Sequence, residues 1–79
     1  MARYFFHYRN GHADHEDDDG LEFESLEAAK DAALHGARDT LSQEILNGVM
    51  DLRYRLEVED ERRDVIHVLQ FADAVEVIR

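Results

Sequence analysis

His12, Asp14, His15, Glu16, Asp17, Asp18 and Asp19 form the densest group of potential metal ligands in the chain. Carboxylates suit hard cations such as calcium or magnesium, and two imidazoles close together suit zinc or nickel. A calcium loop of the EF-hand type needs Asp first, Gly sixth and Glu twelfth. Setting Gly20 in the sixth place puts His15 first and Leu26 twelfth, so the template fails at both ends. Without ligands from a second element, the run reads as a solvated acidic loop, extended by repulsion between like charges.

His7 differs because it lies inside a strand-like segment, Arg3-Tyr4-Phe5-Phe6-His7-Tyr8-Arg9. Aromatics at this density favour a pleated strand, which sets Tyr4, Phe6 and Tyr8 on one face and Phe5, His7 and Arg9 on the other. An exposed His7 beside Arg3, Phe5 and Arg9 would be a proton carrier or a ligand. The competing reading is a surface strand residue bonded to Glu57, or to an acid that an arginine also holds, on a neighbouring strand. His35 and His67 read as packing or surface residues.

Other catalytic arrangements are missing from the sequence. There is no cysteine, so thiolate chemistry, disulfides and cysteine-based zinc sites are excluded. Ser25 sits where a helix cap is expected and Ser42 sits mid-helix, so neither occupies the strained turn that a nucleophile uses. The glycines at 11, 20, 36 and 48 are isolated from one another, so no loop cradles a phosphate. The expectation is a protein that is not an enzyme and holds no cofactor.

These residues must be positioned by few elements. Asn10-Gly11 ends the first strand, and residues 10–20 read as a long acidic connection closed by Gly20 before a short strand at 21–24. Ser25 is the N-cap of a helix over 26–47, with Leu26, Ala29, Ala33, Ala37, Leu41 and Ile45 forming one apolar stripe. At 1.5 Å per residue that helix is about 33 Å long. Gly36 within it reads as a point of close approach to the sheet, and Asn47-Gly48 as the left-handed stop. The period then changes to two: Leu52, Tyr54, Leu56 and Val58 alternate with Arg53, Arg55, Glu57 and Glu59. A polar turn at 60–63 leads to a more hydrophobic strand at 65–71, expected nearer the centre of the sheet. The tail 72–79 reads as a short helical turn or a frayed end. The order is β-β-α-β-β: an α+β domain occupying 1–79, its antiparallel sheet covered on one face by one long helix.

The chain has 79 residues, 44% hydrophobic and 35% charged, with 19 acids against 9 bases for a formal charge of -10. Residues 14–31 alone carry a net charge of -8. Only one lysine is present, so the sheet face bearing Arg53 and Arg55 lacks the positive potential of a nucleic-acid platform. Cross-strand ion pairs are the expected use of those arginines. No apolar run approaches a membrane span and no signal-peptide pattern opens the chain, which leaves a soluble cytoplasmic protein as the expectation.

Arg3-Tyr4-Phe5-Phe6-His7, Asp19-Gly20, Leu26-Glu27-Ala28-Ala29 and Val58-Glu59-Asp60-Glu61 together resemble a family of small bacterial proteins. Its members occur chiefly in alphaproteobacteria and are grouped as a domain of unknown function. The resemblance covers about residues 2–72. It implies a free-standing bacterial protein with no catalytic residues assigned. The chain departs from the family at the last hairpin, carrying Arg62-Arg63 where members often have glycine.

The leading functional expectation is a non-enzymatic, acidic protein-interaction module that binds a protein partner or itself. Its interaction face would comprise Arg3, Phe5, His7, Arg53 and Arg55. The alternative is a small-ligand or divalent-metal binder using the acidic loop and His7. A two-fold dimer is expected, burying Phe5 and His7 against their mates or pairing edge strands.

Overall fold

The computed structural model describes residues 1–12 and 14–79; residue 13, inside the predicted acidic connection, lies outside the described residues. Alternation along β1 (Ala2–Arg9) turns Tyr4, Phe6 and Tyr8 toward the core, as their spacing predicts. β1 pairs antiparallel with β2 (Leu21–Phe23) through Ala2, Arg3 and Tyr4, and with β3 (Arg55–Glu59) through Phe5 to Arg9. β3 pairs in turn with β4 (Val65–Gln70), giving an antiparallel sheet in the order β2-β1-β3-β4. With one long helix, α1 (Leu26–Leu46), the architecture is α+β.

α1 starts where its cap chemistry puts it. The Ser25 hydroxyl accepts from the Ala28 amide at 3.1 Å, satisfying a first-turn donor that has no partner inside the helix. Ala29, Ala33, Ala37 and Leu41 are buried against Leu56, Val58 and Phe71. Gly36 marks the predicted close approach, since a Cβ there would lie 3.0 Å from the Tyr8 hydroxyl. Gly48, at φ 80°, closes the helix and donates to the Ile45 carbonyl. The apolar stripe is shorter than predicted: burial stops at Leu41, and Ile45 is exposed.

Two strand predictions are corrected. The third strand begins at Arg55, not residue 52, although Leu52 and Tyr54 still pack on the core. Arg53 instead lies in the preceding turn, chelated by the Asp51 carboxylate at 3.0 Å. β4 is not central but the outermost strand beyond β3. Only its Leu69 joins the core packing, while Val65, Ile66 and Val68 are exposed. The tail forms a helical turn, α2 (Phe71–Ala74), which buries Phe71 and Ala74 beside α1; the Arg38 guanidinium fixes it by donating to the Ala74 carbonyl at 2.8 Å.

Candidate functional site

The sheet face opposite α1 carries Phe5, His7 and Arg9 on β1 beside Glu59, Glu57 and Arg55 on β3. Phe5 and His7 were expected to be exposed there. They are instead 9% and 1% exposed, and this corrects the proposed open face. Two polar segments roof them.

The first is the acidic connection. It is not a free solvated loop, because it returns along β1 as a wide hairpin. Tyr8 and His15 exchange backbone hydrogen bonds of 2.9 and 2.7 Å. Two residues later Asp17 reaches in with its side chain: Oδ2 accepts from the Phe6 amide at 3.1 Å, and Oδ1 accepts from the Asp19 and Gly20 amides at 3.2 and 2.9 Å. The Asp17 carboxylate thus replaces the backbone carbonyls that a regular strand would offer β1. Burial alone would push its pKa up; the amide donors of Gly20, Phe6 and Asp19 outweigh this and hold it below the usual carboxylate value.

The Asp17 backbone N–H donates to His7 Nδ1 at 3.0 Å. Nδ1 must therefore be the unprotonated nitrogen, which assigns the ring proton to Nε2. A Glu59 oxygen lies 3.0 Å from Nε2. That oxygen sits off the N–H direction, so among the described residues Nε2 has no aligned hydrogen-bond acceptor despite its burial. The contact is a carboxylate lying close to a neutral ring, neither an ion pair nor an aligned hydrogen bond. Of the two expected partners, Glu57 faces His7 in register, while the acid that approaches the ring is the arginine-held one: Glu59, itself 3.2 Å from Arg63 Nε.

The second roof is the turn between β3 and β4. The Asp60 carboxylate accepts from the amides of Arg62 and Asp64, folding the turn tightly. Arg63 then adopts φ 67° and lays its guanidinium 4.0 Å above the Phe5 ring. Phe5 thus packs beneath a cation within its own chain.

Arg9 extends the network. Its Nε donates to Glu57 at 2.7 Å, and its Nη1 lies 3.2 Å from Glu16 and 3.4 Å from Asp14. Arg55 holds the other Glu57 oxygen at 2.9 Å. Hydrogen bonds from Arg9 and Arg55 keep the Glu57 carboxyl below its usual range. Arg3 donates to the Asp19 carbonyl at 2.7 Å and, with Met1, Phe5, Glu22 and Glu61, lines a shallow cleft of about 280 Å³. The structure therefore brings Arg3, Phe5, His7 and Arg55 to one face and leaves Arg53 in a separate turn. Sequence reasoning placed Arg9 on this face and allowed an arginine-held acid beside His7, but missed Asp17 and Arg63 as the residues that close it.

Among the described residues, no three His, Asp or Glu side chains are grouped to hold a metal ion. His12, Asp14, His15, Glu16, Asp18 and Asp19 are exposed. Asp14 and Glu16 face Arg9, while Asp17 is occupied by amides. Among the described residues, no helix is long and apolar enough to cross a membrane.

The fold and this face define a small α+β domain whose ionisable residues are used to close one side of its sheet. The chain belongs to the family Domain of unknown function (DUF6894), which it matches over residues 3–72. No curated protein matches the chain, and no solved structure does.

Proposed function

We propose that the protein is a non-enzymatic interaction module of the cytoplasm that engages a partner along the open edge of β4. One observation carries this reading. β4 is six residues long, ends the sheet, and exposes Val65, Ile66 and Val68. An outermost strand offers a row of backbone donors and acceptors, and proteins normally guard such edges with charge, proline or shortness. The opposite edge is guarded in this way: β2 has only three residues and carries a charge, Glu22, within the strand. β4 has neither protection, so strand addition is the recognition mode that fits it.

A non-enzymatic role is supported by how the chemically capable groups are used. His7 Nδ1 receives a backbone amide, and the Asp17 carboxylate holds three more. The alternative of a metal or ligand site on the acidic loop loses support for the same reason.

The test places a photo-activated benzophenone side chain at Val68 in the full chain, in the cells that make it, with the same group at exposed Asp31 on α1 as control. Adducts mapped by mass spectrometry to a defined segment of one protein, formed from position 68 and not 31, are expected. Equal labelling from both positions, or none from 68, would overturn the proposal.

A further inference from the structure

The surroundings of the β4 edge are apolar at its centre and acidic at both ends. Val65 to Ala72 is the longest stretch of the chain without Asp, Glu, Lys or Arg. Residues 60–64 before it carry three acids against two arginines, and residues 71–79 carry two acids against one arginine. Asp64 and Asp73, the charged residues that bound the strip, are both exposed. Among the described residues, neither carboxylate is engaged by a base or an amide. Arg63 is committed to Glu59 and the Phe5 ring, which leaves Arg62 alone against Asp60, Glu61 and Asp64.

The centre asks for something different. Val68 faces Glu57 in register, and Val65 faces Glu59. Both carboxylates are already held, Glu57 by Arg9 and Arg55 and Glu59 by Arg63. A cation at the middle of an added strand would therefore find no free acid on β3, whereas an apolar side chain would pack beside Val65 or Val68. The formal charge of -10 acts at longer range with the same sign as the flanks. It repels acidic partners, copies of this chain included, and draws basic ones.

We infer that the β4 edge receives an extended segment of a basic protein partner, with alternate apolar side chains at its centre and Lys or Arg at both ends. This inference rests on the edge-strand reading above and adds the chemistry of the occupant. The basic ends lie beside Asp64 and Asp73, and the centre spans the six residues of β4, about 20 Å at 3.3 Å per residue.

The experiment measures binding of labelled peptides to the purified full chain by fluorescence anisotropy at physiological salt. Three peptides share an alternating valine–threonine centre and end in lysines, glutamines or glutamates. A fourth repeats the lysine peptide with alternate backbone amides methylated, which keeps its charge and removes its strand donors. The lysine peptide is expected to bind about tenfold more tightly than the glutamine one, as two ion pairs at a rim amount to. The glutamate peptide is expected to bind most weakly, and methylation to abolish binding. Asp64→Asn with Asp73→Asn should bring the lysine peptide to the level of the glutamine one, with an unchanged helical circular dichroism signal.

Equal binding of the lysine and glutamine peptides, or an unchanged preference in the double variant, would overturn the basic partner and keep the edge. So would a benzophenone adduct from position 68 to an acidic segment or to a second copy of this chain. Undiminished binding of the methylated peptide, or binding of none, would overturn both readings.

Discussion

Arg63 holds its guanidinium 4.0 Å above the Phe5 ring from a left-handed backbone position, φ 67°. A side chain in that region costs about 1 kcal/mol relative to glycine. The residue persists there because its side chain covers an aromatic that the sheet would otherwise expose, and its Nε lies 3.2 Å from Glu59.

The two effects can be separated by two substitutions. Arg63→Ala keeps the backbone cost and removes the cover, so it should destabilise by about 0.5–2 kcal/mol. Arg63→Gly removes both and should be more stable than Arg63→Ala by about 1 kcal/mol. Urea unfolding of the three proteins measures both steps. Equal stability of the alanine and glycine variants would show that the positive φ is not a cost in this turn.

Asp17 is expected to be the most sensitive acid. It is the acceptor for the amides of Phe6, Asp19 and Gly20. Hydrogen bonds to a charged group contribute about 1.5–3 kcal/mol each, and donors left buried without a partner add to the loss. Asp17→Ala should therefore lower stability by about 3 kcal/mol, a fall in Tm of roughly 12–24 °C for a domain this small. Asp17→Asn keeps one acceptor oxygen and should lose less. Asp18→Ala, on an exposed neighbour, should change Tm by only a degree or two, as is usual for surface substitutions of within about 0.5 kcal/mol.

Much of the fold is legible because it is written locally. Ser25, the alanine spacing of α1 and the alternation of Tyr54, Leu56 and Val58 each act within one element. β4 is misplaced by the same logic, since a hydrophobic run signals burial on both sides only when other strands cover it. The roof over Phe5 and His7 is harder to read because it depends on a chain return. Asp17 meets Phe6 across the hairpin, and no periodicity encodes a side chain standing in for a carbonyl. One local signal was available: Asp17 followed by Asp19-Gly20 is the pattern of an aspartate accepting from amides two and three residues on.

Acid sensitivity follows from the same carboxylates. Asp17 is held below its ordinary pKa because its amide donors outweigh the effect of burial, and Glu57 because Arg9 and Arg55 donate to it. A carboxyl whose folded pKa is depressed adds stability that is fully present above the unfolded value, about 4, and is lost as pH falls through the folded value. Urea midpoints should thus be level with respect to these two groups above about pH 5 and fall steeply below pH 4. Asp17→Asn should flatten that fall. An unchanged slope would mean that the proton uptake driving acid unfolding occurs elsewhere.

Gly20 is the glycine least able to change. It lies at φ 68°, and a Cβ there would sit 2.7 Å from the Tyr4 carbonyl oxygen and 3.0 Å from both the Arg3 and Phe5 side chains. The first obstacle is backbone in the β1–β2 pairing, where Tyr4 faces Leu21, so it cannot rotate aside. Gly20→Ala therefore combines the left-handed cost of about 1–2 kcal/mol with overpacking of about 1–3 kcal/mol. Gly48 supplies the control, since its φ of 80° is equally unfavourable but, among the described residues, nothing lies within 4 Å of its Cβ position. Gly48→Ala should cost only the conformational part, about 1–2 kcal/mol. The difference between the two variants in urea unfolding then reads the steric contact alone. If Gly20→Ala is no worse than Gly48→Ala, the hairpin return does not press on β1 as tightly as the distances require. Asp17 would then have room to shift, and its amide contacts could not be the closure that buries His7.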